Sequence, residues 1–378
     1  MKVVFLPLTT RPWDGIEVYS YELAKRFSRM GIDIVGVRIS LENKVNEVND
    51  HFKVIDVKTP NLKRQAYHFR VIYAYLQKHD LIKEADVVHA VGGYYLGVRF
   101  LPARKIVTVI GSSSLRERSS IKKQIRRIYS SFLYRGAQGY IFPNEVIKKE
   151  FMSYLKPKRH VVIPIGIDLD SMRVSESKAE LRERLGLDKD EYIFLYLGQL
   201  VNGKRLPEMV KAFSLLLKEK PNSRLAMVSW GYLKNELQGL VNSLKIQDRV
   251  TFIPPVKYDE RKYYYKASDA FLMLGDSFGD GGVSTAVMDA LGSGLPILVS
   301  KHSPNVEVVK DGINGFCVDP SDVQSVKEAM IRIVEDPNLG KNSLEIAKRY
   351  TWEEVAKSTL EFYKQAFNDL EVSYELKM

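Results

Sequence analysis

The chain has 378 residues, 45% hydrophobic and 27% charged, with 57 Lys+Arg against 46 Asp+Glu. That length is enough for two domains of ordinary size, and the composition excludes a disordered or low-complexity chain. The single cysteine, Cys317, excludes an internal disulfide and fits a reducing compartment; no apolar run reaches the roughly 20 residues that span a bilayer. The positive excess is one-sided. Residues 1–170 carry 29 Lys+Arg and 16 Asp+Glu, whereas the remainder carries 28 and 30. A basic first half points to an anionic partner for that half: a membrane surface, a phosphorylated acceptor or nucleic acid.

In chain order, Val3–Leu6 reads as a buried strand, not a signal peptide, because the apolar run is too short. Glu17–Arg29 reads as a helix, with Val18, Tyr21, Leu23, Ala24 and Phe27 at apolar positions. Strands are expected at Ile32–Val37, Val54–Val57, Asp86–Val91, Lys105–Ile110 and Gly139–Phe142, with helices over 66–79 and 121–135. The pattern restarts after Val161–Asp168. Strands at Tyr192–Leu197, Arg224–Val228, Val250–Ile253, Ala270–Leu274 and Ile297–Val299 alternate with helices at Pro207–Lys218, Leu233–Leu244, Tyr258–Ala267 and Thr285–Leu291. Glu354–Phe367 is a last amphipathic helix. Strand–helix alternation implies parallel sheets covered on both faces, hence an α/β chain of two doubly wound domains joined near 165–190. In such sheets ligands bind beyond the carboxyl ends of the strands, and a cleft between two such domains is the default site.

The segment Phe278–Ser300 (FGDGGVSTAVMDALGSGLPILVS) reads as loop, helix, turn and buried strand. Free backbone N–H groups and the positive dipole end make that helix N-terminus an anion site, and Asp289, two turns in, offers a carboxylate to sugar hydroxyls. Phosphate plus hydroxyls suggests a nucleotide sugar. Lys204 follows a strand and a Gly-containing loop, where its ammonium would meet a diphosphate. Asp168-Leu-Asp170 imitates a metal motif but reads as a capping turn, and no metal site is expected.

Six segments in order give the chain a family resemblance: Asp14-Gly-Ile-Glu17, Asp86-Val-Val-His-Ala90, Ile163-Pro-Ile-Gly-Ile-Asp168, Gly198-Gln-Leu-Val-Asn-Gly-Lys204, Gly312-Ile-Asn-Gly315 and Tyr350-Thr-Trp352. They resemble the motifs of the retaining GT-B glycosyltransferases of family 4 (glycosyl transferases group 1). The resemblance implies two Rossmann-like domains facing across a cleft. Residues 1–168 would bind the acceptor and 169–350 the nucleotide sugar, with 351–378 crossing back to the first domain. It implies transfer of a sugar from a nucleoside diphosphate to a glycan or lipid-linked acceptor, without a cofactor or metal.

The same resemblance assigns roles. Lys204 would neutralise the leaving diphosphate. Gln199 stands where the family has arginine, so Arg205 would assist. Asp289 falls at the second acid of the Glu-x7-Glu motif and would bind ribose. The first acid falls at Gly281, and Asp280 would replace it on the donor sugar if the loop bulges by one residue. Amides of Gly282, Val283, Ser284 and Thr285 would face phosphate or sugar, and Gly15 would set its amide beside the donor phosphate. The family's histidine at the end of the fourth strand is Ile110 here, which leaves His89 as the polar candidate on the acceptor side. With that histidine absent, the departing phosphate oxygen would take the acceptor proton.

Arg116, Arg118, Lys122, Lys123, Arg126 and Arg127 cluster within twelve residues, and Ile121, Ile125, Ile128, Phe132 and Leu133 recur there at helical spacing. The spacing predicts a crossover helix with its apolar face on the sheet and its basic side toward anionic lipid, so the protein is expected in the cytoplasm, peripheral to the membrane. Nucleic acid is not expected, because interleaved aromatics and a recognition motif are missing. Two rivals share the architecture: a sugar-nucleotide epimerase, and a non-catalytic paralogue serving as a nucleotide- or lipid-binding partner subunit.

Overall fold

The computed structural model describes residues 1–9, 15–60, 67–100, 102–111, 119–275 and 282–367. The chain forms two compact units. The first takes in Met1–Gly166 and, from the far end of the sequence, the helix beginning at Trp352; the second lies within Ile167–Thr351.

The first unit runs β1 (Lys2–Leu6), α1 (Gly15–Arg29), β2 (Asp33–Ser40), β3 (Lys44–Asn49), β4 (Phe52–Lys58), α2 (Tyr67–Leu76), α3 (His79–Lys83), β5 (Val87–Val91), β6 (Lys105–Thr108), α4 (Ser120–Tyr134), β7 (Gly139–Phe142), α5 (Glu145–Met152) and β8 (His160–Val162). The sheet order is β3-β4-β2-β1-β5-β6-β7-β8, parallel throughout except that β3 returns antiparallel to β4. Central strands are continuous apolar runs because both faces are covered. In β1, Val3 and Phe5 enter the core under α1, while Val4 and Leu6 enter the core on the opposite face, beneath α2–α5. The edge strand β3 is polar and mostly exposed, which blunts the free edge; its sequence lacks the apolar pattern that revealed the others. The Asp86 carboxylate accepts from the Lys2 N–H at 2.7 Å, so it fixes the start of β1 at the end of the sheet away from any ligand.

In the second unit α6 (Lys178–Arg184) opens with a Ser177–Glu180 capping box. There follow β9 (Tyr192–Gln199), α7 (Leu206–Leu216), β10 (Ser223–Trp230), α8 (Lys234–Ser243), β11 (Val250–Ile253), α9 (Arg261–Ala267), β12 (Ala270–Met273), α10 (Thr285–Gly292), β13 (Ile297–Ser300), β14 (Gly315–Val318), α11 (Val323–Glu335) and α12 (Leu339–Ala347). The six strands are all parallel, in the order β11-β10-β9-β12-β13-β14. This is the doubly wound Rossmann order, whose switch point lies between β9 and β12. The Gly312–Gly315 motif is structural. The buried Asn314 accepts from the Lys310 N–H and donates to the Val308 carbonyl, and a Cβ on Gly315 would fall 1.8 Å from the Ile297 oxygen. Cys317, on β14, has a thiol pushed up to about 11 by burial, so it is not a reactive group. The Asp168 side chain closes a turn by accepting from the Ser171 N–H at 3.0 Å and caps no helix.

The closing helix α13 (Trp352–Ala366) packs in the first unit, against α1. Glycine makes room for its aromatics: a Cβ on Gly166 would fall 2.5 Å from the Trp352 indole, and one on Gly139 2.9 Å from the Phe362 ring. Polar bonds complete the joint. His89 Nδ1 bonds the Tyr363 hydroxyl at 2.6 Å, His89 Nε2 bonds Thr108 Oγ1 at 2.6 Å, and the Tyr19 hydroxyl bonds the same Oγ1 at 3.2 Å. Burial lowers the His89 pKa from 6.5 to about 3. The unfolded chain takes up a proton at this residue near pH 6.5 and the native state does not. Stability from this group is therefore full above pH 6.5 and declines between there and pH 3, by about 1.4 kcal/mol per pH unit. Urea midpoints at pH 7.5 and pH 5 should consequently diverge more in the wild type than in His89→Gln; equal divergence would show that His89 does not titrate this way.

Candidate functional site

The switch point of the second sheet gathers what the sequence singled out. β9 ends at Gln199, which is exposed, and the following loop returns through Gly203, at a φ of 86°, to Lys204 and Arg205. Arg205 adopts a left-handed φ of 54° at the start of α7 and pairs with Glu208 at 3.1 Å, so its charge is partly committed within the helix. The loop is clamped from the neighbouring strand. The Leu200 N–H donates to the Trp230 carbonyl at 2.7 Å, and the Tyr232 hydroxyl accepts from the Asn202 N–H at 3.0 Å. A Cβ on Gly231 would fall 2.3 Å from the Leu200 oxygen, so only glycine allows this closeness. Beyond β12, Gly275 lies against the Lys204 loop: a Cβ there would fall 3.3 Å from the Gly203 oxygen and from Lys204 Cδ. The loops after β9 and β12 thus meet at Lys204.

Asp280 and Gly281 lie outside the described residues. From Gly282 the chain leads through Val283 and Ser284 into α10, which begins at Thr285. The Ser284 side chain does not cap α10, so the amides of its first turn keep the orphan donors and the dipole of a helix N-terminus. One expected donor is spent elsewhere: the Ser284 N–H donates to Oδ1 of the buried Asn305 at 2.9 Å. Its amide therefore does not face a ligand, which corrects the expectation for that group. Nothing in the sequence marked Asn305 as the residue holding this loop.

Asp289 sits inside α10 and meets a partner that the sequence did not reveal. Arg261 Nε and Nη2 reach its two oxygens at 2.7 and 3.2 Å. The guanidinium also lies 3.2 Å over the Tyr258 ring and donates to the Tyr258 carbonyl at 2.7 Å. Burial disfavours the Arg261 charge and Asp289 outweighs it, leaving its pKa raised. Together with the Tyr265 hydroxyl, which donates to the Ala286 carbonyl at 3.1 Å, this pair fixes α10 against α9. Helical spacing from residue 258 placed Arg261 in a helix, yet spacing carries no information on which helix it faces.

The first unit has its own concavity beyond β1 and β2. A cavity of about 190 Å³ is lined by Leu8, Glu17, Arg38, Arg70 and Tyr94, among others. Arg38 holds Asp56 through Nε and Nη2 at 2.6 and 2.8 Å, and Arg70 Nε donates to Thr59 Oγ1 at 2.9 Å. Gly15 is the first residue of α1. His89, expected on the acceptor side, is not there. It is fully buried with both ring nitrogens bonded, so it cannot touch a substrate.

The basic segment also differs from expectation. Arg116 and Arg118 lie outside the described residues. Arg127 is bound by the buried Glu150 at 2.8 Å through two nitrogens. The apolar stripe of α4 does not lie on the sheet: Ile121, Ile125, Ile128 and Phe132 are exposed, while Ser130, Leu133 and Tyr134 are buried.

Two parallel doubly wound units with a phosphate-type loop at the second switch point define the GT-B class of glycosyltransferase. The chain belongs to glycosyltransferase family 4: residues 13–171 match the profile of Glycosyltransferase Family 4, and residues 177–350 match that of Glycosyl transferases group 1. It is similar to an uncharacterized glycosyltransferase of Methanocaldococcus jannaschii, 27% identical over 50% of this chain and 49% of that protein. A D-inositol 3-phosphate glycosyltransferase of Nocardioides is 23% identical over 97% and 90%, and an alpha-monoglucosyldiacylglycerol synthase of Acholeplasma laidlawii is 29% identical over 59% and 57%. The match spans about half the length of the first of these relatives. Among solved structures, sucrose-phosphate synthase from Thermosynechococcus elongatus superposes with a TM-score of 0.81 at 18% identity, over 98% of this chain and all of that one. Anabaena Alr3699/HepE, solved with UDP and glucose, gives 0.76 at 18%, over 97% and 100%.

Removing Arg261 would leave the half-buried Asp289 carboxylate without its partner. Arg261→Ala should lower unfolding stability by about 3 kcal/mol, while the double variant Arg261→Met/Asp289→Leu should recover most of the loss. Urea denaturation of the two variants measures this; equal loss in both would mean that the pair does not hold α10.

Proposed function

We propose that the protein is a retaining glycosyltransferase that moves a sugar from a nucleoside diphosphate to a glycan or lipid-linked acceptor. The observation that carries this reading is the meeting of the Lys204 loop with Gly275 at the β9–β12 switch point, together with the uncapped start of α10. Lys204 places an ammonium where a diphosphate would lie along the orphan amides of Thr285 and the next residues. Gln199 adds a hydrogen bond without charge, and Arg205 contributes what its pairing with Glu208 leaves. Amides of Gly282 and Val283 and the Ser284 hydroxyl border the same place. The ribose hydroxyls meet Asp289 as an ion pair with Arg261, so they share its carboxylate oxygens with a guanidinium.

The acceptor would enter the cavity lined by Arg38, Arg70, Glu17 and Tyr94, whose mixed charges suit hydroxyls and an anionic group. Relatives named for inositol 3-phosphate and for a diacylglycerol glycolipid support an acceptor of that kind. Catalysis in this reading is positioning and electrostatics. The acceptor hydroxyl attacks the anomeric carbon from the face that the diphosphate leaves, the bond to the leaving oxygen breaks, and that phosphate oxygen takes the acceptor proton. Lys204 and the α10 dipole meet the developing charge, and no metal enters the scheme. A lipid-linked acceptor places the protein in the cytoplasm at a membrane surface.

Purified protein supplied with UDP- and GDP-sugars should turn over at least one donor, and NMR should show the anomeric configuration retained in the product. Lys204→Ala should lower kcat/KM by about 10²–10³-fold with thermal stability unchanged. Undiminished turnover would remove Lys204 from the diphosphate site, and a complete lack of turnover in the wild type would favour the non-catalytic paralogue.

A further inference from the structure

Two aromatic side chains at the carboxyl end of β10 have no place in the core. The strand is buried from Leu225 to Ser229, and the next residue, Trp230, is 46% exposed. Tyr232, two residues on, is 67% exposed. A single exposed ring needs no explanation; two at the strand ends where a doubly wound sheet binds its ligand do.

Their positions tie them to the Lys204 loop. Trp230 is registered with Gln199 in the parallel β9–β10 pair. Registered residues of adjacent strands project from the same face about 4.8 Å apart, so the indole and the exposed Gln199 side chain stand side by side. The Trp230 carbonyl accepts from the Leu200 N–H at 2.7 Å, and the Tyr232 hydroxyl accepts from the Asn202 N–H at 3.0 Å. The second bond anchors the Tyr232 ring two residues before Lys204. A ring held at its far end is preorganised and loses little entropy on taking a ligand.

The same neighbourhood is poor in groups that read the edge of a base, which takes matched donors and acceptors. β11 lies next to β10, with Ile253 registered with Val228. Beyond Ile253 the chain runs Pro254-Pro255, both exposed, and proline has no N–H to donate. The Ser229 hydroxyl is buried and donates to the Met227 carbonyl at 3.2 Å. The Trp230 carbonyl is taken by Leu200. The ends of β10 and β11 therefore offer ring faces and proline, a surface that holds a flat group by its face.

We propose that Trp230 and Tyr232 form a stacking shelf for the nucleobase of the donor, gripping it by its face and so with little discrimination between bases. The shelf rests on the proposed donor at the Lys204 loop, since base and diphosphate belong to one molecule. Every base has a π face, so stacking tolerates any of them, whereas a site that hydrogen-bonds a base edge rejects the wrong partner by about 10⁴-fold or more.

Calorimetric titration of the full chain with UDP, GDP, ADP and inorganic pyrophosphate tests it. The three nucleotides should bind within about tenfold of one another. Trp230→Ala should weaken each of them by about tenfold or more and leave pyrophosphate, which carries the charge without the base, unaffected. Trp230→Phe keeps a ring and should restore most of the affinity. Tyr232→Ala should weaken the nucleotides as well, and Tyr232→Phe should not. Circular dichroism and Tm should be unchanged in the Trp230 variants, since the indole lies outside the core. Nucleotide affinity that survives Trp230→Ala, an equal loss for pyrophosphate, or a preference of more than about a hundredfold for one base would overturn the shelf and leave the donor reading intact. Failure of the wild type to bind any of the nucleotides would remove the donor reading, and the shelf with it.

Discussion

The parallel pairing of β9 with both β10 and β12 is the constraint on which the candidate site depends. The chain leaves β9 on one side of the sheet to reach β10, and β12 joins from the other side. The loops after β9 and β12 therefore part at the same edge and leave a crevice at the strand ends. Nothing about Lys204 would be distinctive in an isolated loop. It matters because the loop lies between Gly231, where a side chain would collide with the Leu200 backbone, and Gly275, where one would crowd Gly203 and Lys204.

The first unit is completed by residues from the far end of the chain. Trp352 and Phe362 settle over Gly166 and Gly139, and Tyr363 reaches His89. A polar network at that depth is tolerated because every member has a partner. It also consumes a group that a motif reading puts in reach of chemistry. The same holds for Asn314, which stitches its own loop, and for Asp86, which anchors β1. Much of what the motifs share is thus the cost of building two doubly wound units from short strands, separate from the chemistry at their carboxyl ends.

Charge is handled in two ways. Within the second unit, the buried Arg261 holds the half-buried Asp289 with two-point geometry, which makes the acid part of the scaffold as well as a candidate ligand group. On the first unit the cations around α4 lie in a stretch of sequence nearly free of acids, and Arg127 is drawn inward by the buried Glu150. The first arrangement fixes a helix and the second leaves a field.

The sequence by itself determined the class of fold, the alternation of elements and most of their boundaries, because apolar runs and helical periodicity are local signals. It also determined the position of Lys204 after β9 and the start of α10 at Thr285, since loop glycines and the following helix are written consecutively. Strands β3, β8 and β14 escaped it: the first is polar at an edge, the second is only three residues long, and the third is a short run directly after a glycine turn. The pairing of Asp289 with Arg261, the loss of the Ser284 amide to Asn305 and the burial of His89 were decided only by tertiary structure. Each joins residues 19 to 274 positions apart, and no local pattern encodes such a partner. The orientation of α4 belongs to the same class: periodicity gave the apolar stripe, and packing alone turned it outward.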